Sequence, residues 1–204
     1  MKLSAKIWRK ARVSVLGLIR DSSAIAAIEF AMILPIMLVL FFGTVEFSSA
    51  IAVDRNVNLM AHTLSDLTSQ SPATGVSDAE IATFFSAGAA IMFPYSATPL
   101  KAVISELYVD PKTLVARVQW SKAYQGGTAR VTSSPVTIPT ALAVGGTYLI
   151  FSEVSYLYTP AEGYVMSMAG ITLSGTAYTR PRQANCVIYP AVTPPAIVPA
   201  CPTS

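Results

Sequence analysis

The one histidine of this chain, His62, stands four residues before Asp66, a spacing that on a helix lets a carboxylate orient an imidazole. It is the nearest approach to catalytic chemistry in the sequence. A serine nucleophile would need a strained G-x-S-x-G elbow, which does not occur, and the phosphate-cradling G-x-x-x-x-G-K-[ST] loop of a motor ATPase is also missing. Carboxylates beyond residue 47 are scattered, with no pairing that suits a general acid and base. The two cysteines, Cys186 and Cys201, lie far from His62, so a zinc site lacks a ligand set. The sequence therefore reads as a non-enzyme that needs no cofactor or metal, with His62 a surface or interface residue.

A different residue raises a sharper question. From Ile25 to Val45 the chain is apolar and is interrupted by a single charge, Glu29. A carboxylate near the middle of a bilayer costs about 2.5–3.5 kcal/mol and less towards its edge, so such a residue is expected to have a partner or a function. Its own segment offers no cation. Two readings stay open: a carboxylate hydrated at headgroup depth, or one that finds its partner on another molecule. The residues before it, Ser22, Ser23 and Ala24, are small, and Glu29 lies one helical turn beyond Ile25.

The elements that must position Glu29 follow from length and charge. A chain of 204 residues fits one folded domain and a membrane segment. Six cations, Lys2, Lys6, Arg9, Lys10, Arg12 and Arg20, oppose Asp21 in the first 23 residues, whereas eight Lys and Arg face nine Asp and Glu from Glu46 onward. The basic excess is thus confined to the N-terminal flank, which excludes an electrostatic footprint for nucleic acid on the rest. At 1.5 Å per residue, Ile25 to Val45 span roughly 30 Å, the thickness of a hydrocarbon core. The positive flank puts the N-terminus in the cytoplasm and residues after Phe47 outside. A signal peptide cut after Ser48-Ser49-Ala50 is the alternative, but the apolar run is longer than the roughly 7–15 residues of such segments. Pro35 frees a backbone carbonyl inside the span and is expected to kink it.

Beyond the span, residues 47–70 run without Gly or Pro and carry Ile51, Val53, Val57, Leu59, Met60, Leu64 and Leu67 at helical spacing, which predicts an amphipathic helix continuous with the span. The cluster "TSQSPATG" reads as a loop, and Ser77 three residues before Glu80 marks the start of a helix over 78–92. Alternation then predicts strands at 102–109 and 113–120, joined by "DPK", and at 148–158 and 170–179, with loops between. The expected fold is α+β: a long N-terminal transmembrane helix entering a domain in which a helix packs on an antiparallel sheet of about four or more strands. Its allocation is a basic leader over 1–24, the span over 25–46, the helical extension over 47–70, the domain over 71–182 and a proline-rich tail over 183–204. Under this topology Cys186 and Cys201, with fourteen residues between them, lie on the oxidising side. A disulfide closing the proline-rich loop is expected, the alternative being two separate thiols.

At these residues the chain resembles the TadE-like minor pilins or pseudopilins of the tight-adherence (Flp) pilus system. The resemblance is carried by the basic leader, Ala24, "IAAI", Glu29, Phe30, the apolar run through Pro35, and a second acidic position, Glu46. It covers residues 20 to about 70, with weaker echoes in "SEVSYLYTP" and "AYTRPR". Ala24 stands where glycine is more usual in the family, and Phe30 where tyrosine is common. The resemblance implies cleavage between Ala24 and Ile25 by a prepilin peptidase, and insertion in the bacterial inner membrane with the domain in the periplasm. It further implies partners among other Tad pilus subunits and inner-membrane assembly platform proteins, and a role in surface adherence and biofilm formation. Cleavage would create an α-amino group at Ile25, cationic at neutral pH, which Glu29 of a neighbouring subunit could pair. A permanently anchored envelope protein, never processed and binding other components through residues 71–204, is the second reading.

Overall fold

A computed structural model describes residues 22–72, 74–160 and 170–189. Helix α1, Ser22–Ser69, is 48 residues long; at 1.5 Å per residue it measures about 72 Å. It passes through Pro35 and past Glu46 without a break. Its two halves meet different surroundings. Apolar side chains from Ile25 to Phe47 are largely exposed, whereas Val53, Val57, Met60, Ala61 and Leu64 are wholly buried. These five follow steps of three and four and form the stripe that anchors the helix to the domain. Ile51 and Leu59, apolar by sequence, face outward.

Helix α2, Asp78–Ala90, starts with a complete capping box: the Glu80 N–H donates to Ser77 Oγ (3.3 Å), and the Ser77 N–H donates to Glu80 Oε2 (2.8 Å). It buries Ile81 and Phe85. At Gly88 the two helices come so close that a Cβ would meet Leu64 at 3.1 Å and Met60 at 3.2 Å.

Five strands follow: β1 Leu100–Val109, β2 Ala116–Tyr124, β3 Pro135–Val136, β4 Tyr148–Tyr158 and β5 Ile171–Thr179. They form one antiparallel sheet in the order β3-β2-β1-β4-β5. Helix α1 crosses β4 and β5 at close quarters, made possible by small residues. A Cβ at Gly175 would stand 2.9 Å from Asn58 Oδ1 and 3.1 Å from the Val57 carbonyl. Ser152 donates to the Ala61 carbonyl at 2.5 Å, and Ser65 to Ile150 O and Thr179 Oγ1 at 3.2 and 2.9 Å. The main core fills the space between the helices and the sheet. A smaller one, built on Leu107, Val109, Val118, Leu149 and Phe151, lies on the opposite face under Ile138 and Leu142.

The architecture is the expected α+β arrangement, with local differences of identifiable origin. Strand β2 begins at Ala116 rather than 113, because Asp110 Oδ1 accepts the N–H groups of Lys112 and Thr113 and Leu114 takes a left-handed φ of 57°, widening the turn beyond "DPK". The segment read wholly as loop contributes β3, a two-residue edge strand pairing Val136 with Ala116. Helix α2 stops at Ala90, two residues early. Residues 182–189 return across the domain: the Arg182 N–H caps α1 at Ser69 O (2.9 Å), and the Val76 N–H donates to Ile188 O (2.8 Å). Cys186 is buried in this segment and disulfide-bonded. Cys201, its expected partner, lies outside the described residues.

Candidate assembly and membrane site

The exposed half of α1 carries four of the residues singled out by sequence. Ile25, Glu29 and Phe30 are exposed on successive turns, and α1 has Pro35 inside it. Ile25 is 51% exposed and Phe30 59%, values that suit a helix bare of domain on all sides. Among the described residues this is the one helix long and apolar enough to cross a membrane by length and composition. Ala24 belongs to the helix backbone. Glu29 is therefore presented outward on a bare helix, available to whatever surrounds that half.

Glu46 has the opposite fate. It is 4% exposed, and neither carboxylate oxygen has a hydrogen-bond partner. Its backbone carbonyl is approached by the Tyr158 hydroxyl at 3.5 Å, a long contact. The two acidic positions are seventeen residues apart, about 25 Å along the axis, and their directions differ by roughly 100° about it. One thus faces outward on the bare half, and the other is sealed under the domain where that half ends.

His62 and Asp66 do not form a pair. His62 is exposed, and the Asp66 carboxylate is taken by Arg182 Nη2 (2.5 Å) and by Gln70 Nε2 (2.7 Å). Among the described residues no group of three His, Cys, Asp or Glu side chains could hold a metal ion.

Sequence reasoning passed over Glu106, which is fully buried in the middle of β1. Its Oε2 accepts the Trp120 indole N–H at 2.9 Å and its Oε1 the Val187 N–H at 2.5 Å, so it ties β2 and the returning segment to the sheet. Burial pushes its carboxyl up to about 8 against the downward pull of these two donors. The signal was available in part, since Glu106 stands in the register of Ala102 and Ile104 on a strand that is buried on both faces along most of its length. On the opposite face Arg130 binds Glu153 through two hydrogen bonds of 2.5 and 2.6 Å beside a cleft of about 720 Å3.

No curated protein and no solved structure matches the chain. A protein-family match does exist, to the family described as TadE-like protein, and it covers residues 24–64. It starts at the small residue before Ile25, takes in the whole bare half of α1, and ends on the buried stripe. Over those residues, which include both acidic positions, the helix is similar to the TadE-like proteins.

Proposed function

We propose that this chain is a minor pilin or pseudopilin of a Tad (Flp) pilus system, serving the assembly of a pilus used in surface adherence and biofilm formation. The observation that carries the reading is a bare apolar helix, inside the TadE-like match, that presents Glu29 outward one turn beyond Ile25. Residues 25–46 span the inner membrane, with the basic leader in the cytoplasm and the domain in the periplasm. A prepilin peptidase cuts between Ala24 and Ile25. Glu29 then accepts the new amino group of a neighbouring subunit, so that two desolvation costs are offset by one contact and an undocked subunit keeps an unpaired carboxylate in lipid. In this reading Cys201 is the disulfide partner of Cys186, in keeping with an oxidising compartment. The role is structural; the partners are the peptidase, other Tad subunits, the inner-membrane assembly platform and the bilayer, with no nucleic acid and no cofactor.

N-terminal sequencing of the mature protein tests this. A first residue of Ile25, lost in Ala24→Leu, is the expected result. An intact Met1 in cells that make pili would leave the unprocessed, anchored envelope protein as the reading.

A further inference from the structure

We propose that the end of the domain from which α1 emerges is a membrane-resting surface, seated in the headgroup layer of the bilayer that α1 spans. The proposal rests on the anchoring reading above and adds the posture of the domain.

Strand register defines that end. Leu100, Tyr156 and Leu173 lie side by side, as do Tyr158 and Ile171, so the start of β1, the finish of β4 and the start of β5 are together. The Tyr156 hydroxyl donates to Ser96 O (3.0 Å), which ties the loop before β1 to the same place, and the Tyr158 hydroxyl reaches the Glu46 carbonyl, where α1 becomes bare. Large apolar side chains are exposed here on separate elements: Phe47 and Ile51 of α1, Leu157 of β4, Ile171 of β5, and Phe93 in the loop, which is 83% exposed. The described connecting residues 91–99 and 125–129 contain no charge. The far end also shows Leu114 and Val144, but among Asp110, Lys112, Arg180 and Arg182.

Distance fixes what this end meets. The run from Ile25 to Glu46 is about 30 Å long, no more than one hydrocarbon core requires, and no loop separates it from the domain. An untilted span therefore brings Phe47, and the end of the domain beside it, to the membrane–water interface. Aromatic and aliphatic groups with few charges are the chemistry that enters this layer.

The test uses the full chain in vesicles of phosphatidylethanolamine and phosphatidylglycerol, with an environment-sensitive fluorophore on Phe93→Cys, Lys112→Cys or Val39→Cys. Nitroxide lipids labelled at the headgroup should quench the position 93 label roughly twofold more than the position 112 label, and acyl-chain nitroxides should quench the position 39 label. Equal quenching at 93 and 112, with 39 in the acyl region, overturns the resting surface and leaves the span intact. A position 39 label outside the acyl region overturns both. Quenching at 93 that disappears on dilution to one chain per vesicle assigns the surface to a second copy of the chain and overturns the proposal.

Discussion

The indole N–H of Trp120 lies between Oε2 of Glu106, at 2.9 Å, and the carbonyl of Val187, at 2.8 Å, while the Val187 N–H closes the triangle on Oε1. A fully buried carboxyl group thereby joins two strands to a segment some eighty residues later in the chain. Tyr189 extends the attachment, its ring beside that of Trp120 and its hydroxyl donating to Asp78.

This geometry sets a pH dependence. Glu106 has its carboxyl raised by burial to about 8 in the folded chain, against an ordinary value of 4.5. Between these values the folded protein keeps a proton that the unfolded chain releases. Stability is therefore greatest below the unfolded value, falls as pH rises, and levels off above about 8. The whole decline is several kcal/mol at most, since each tenfold difference in proton affinity between the two states is worth about 1.4 kcal/mol. Urea midpoints of the detergent-solubilised protein, measured from pH 5 to 8.5, should decline. Glu106→Gln should flatten the decline, and an unchanged slope would refute the assignment.

Gly175 is predicted to be intolerant. Its missing Cβ leaves room for the α1 backbone at Asn58 Cα, 3.0 Å away, and for the Val57 carbonyl. Neither is the far end of a flexible side chain. Gly175→Ala should cost about 1–3 kcal/mol, the range of an overpacked interior. A denaturant midpoint equal to wild type would show that the helix can lift from β5 without penalty.

The cap of α2 offers a milder test. Ser77→Ala removes the acceptor of the Glu80 N–H and leaves Ile81 and Phe85 in place. The expected loss is about 1 kcal/mol. Hydrogen exchange should quicken in the first turn of α2 and stay slow in the sheet.

Glu29 and Glu46 should respond in opposite ways to the same substitution. Glu46→Gln removes a charge buried without a hydrogen-bond partner and should stabilise the fold by on the order of 1 kcal/mol or more. Glu29→Gln should leave folding and membrane level unchanged, because the residue touches no domain, and should abolish pilus production by removing the partner of the Ile25 amino group. Normal pili from a correctly inserted and processed Glu29→Gln protein would show a carboxylate merely hydrated at the interface.

Much of the fold was legible because its signals are local. The 3.6 period of Val53, Val57, Met60 and Leu64, the Ser77 cap and the alternation of β4 each lie within a dozen residues. What escaped depends on distant chain. Strand β3 consists of two residues that become a strand only through pairing with β2, and the burial of Glu106 depends on residues near Val187. Arg182 similarly withdraws Asp66 from His62, which no reading of the helix alone could show. On the site, Glu29 stood out as the one charge in an apolar run, whereas the burial of Glu46 depends on a domain folded from chain far beyond it, with Tyr158 against its carbonyl.

The unbroken course of α1 has a mechanical consequence. A pull or torque on the domain enters the helix where Gly175, Ser65 and Ser152 clamp it, and no slack connector stands between that clamp and Glu46. Load is delivered as axial tension on a ladder of backbone hydrogen bonds that lacks only the donor of Pro35, and rotation of the domain turns the azimuth at which Glu29 points. Inserting a few glycines after Phe47 would decouple the two, leaving each half intact and the transmission lost.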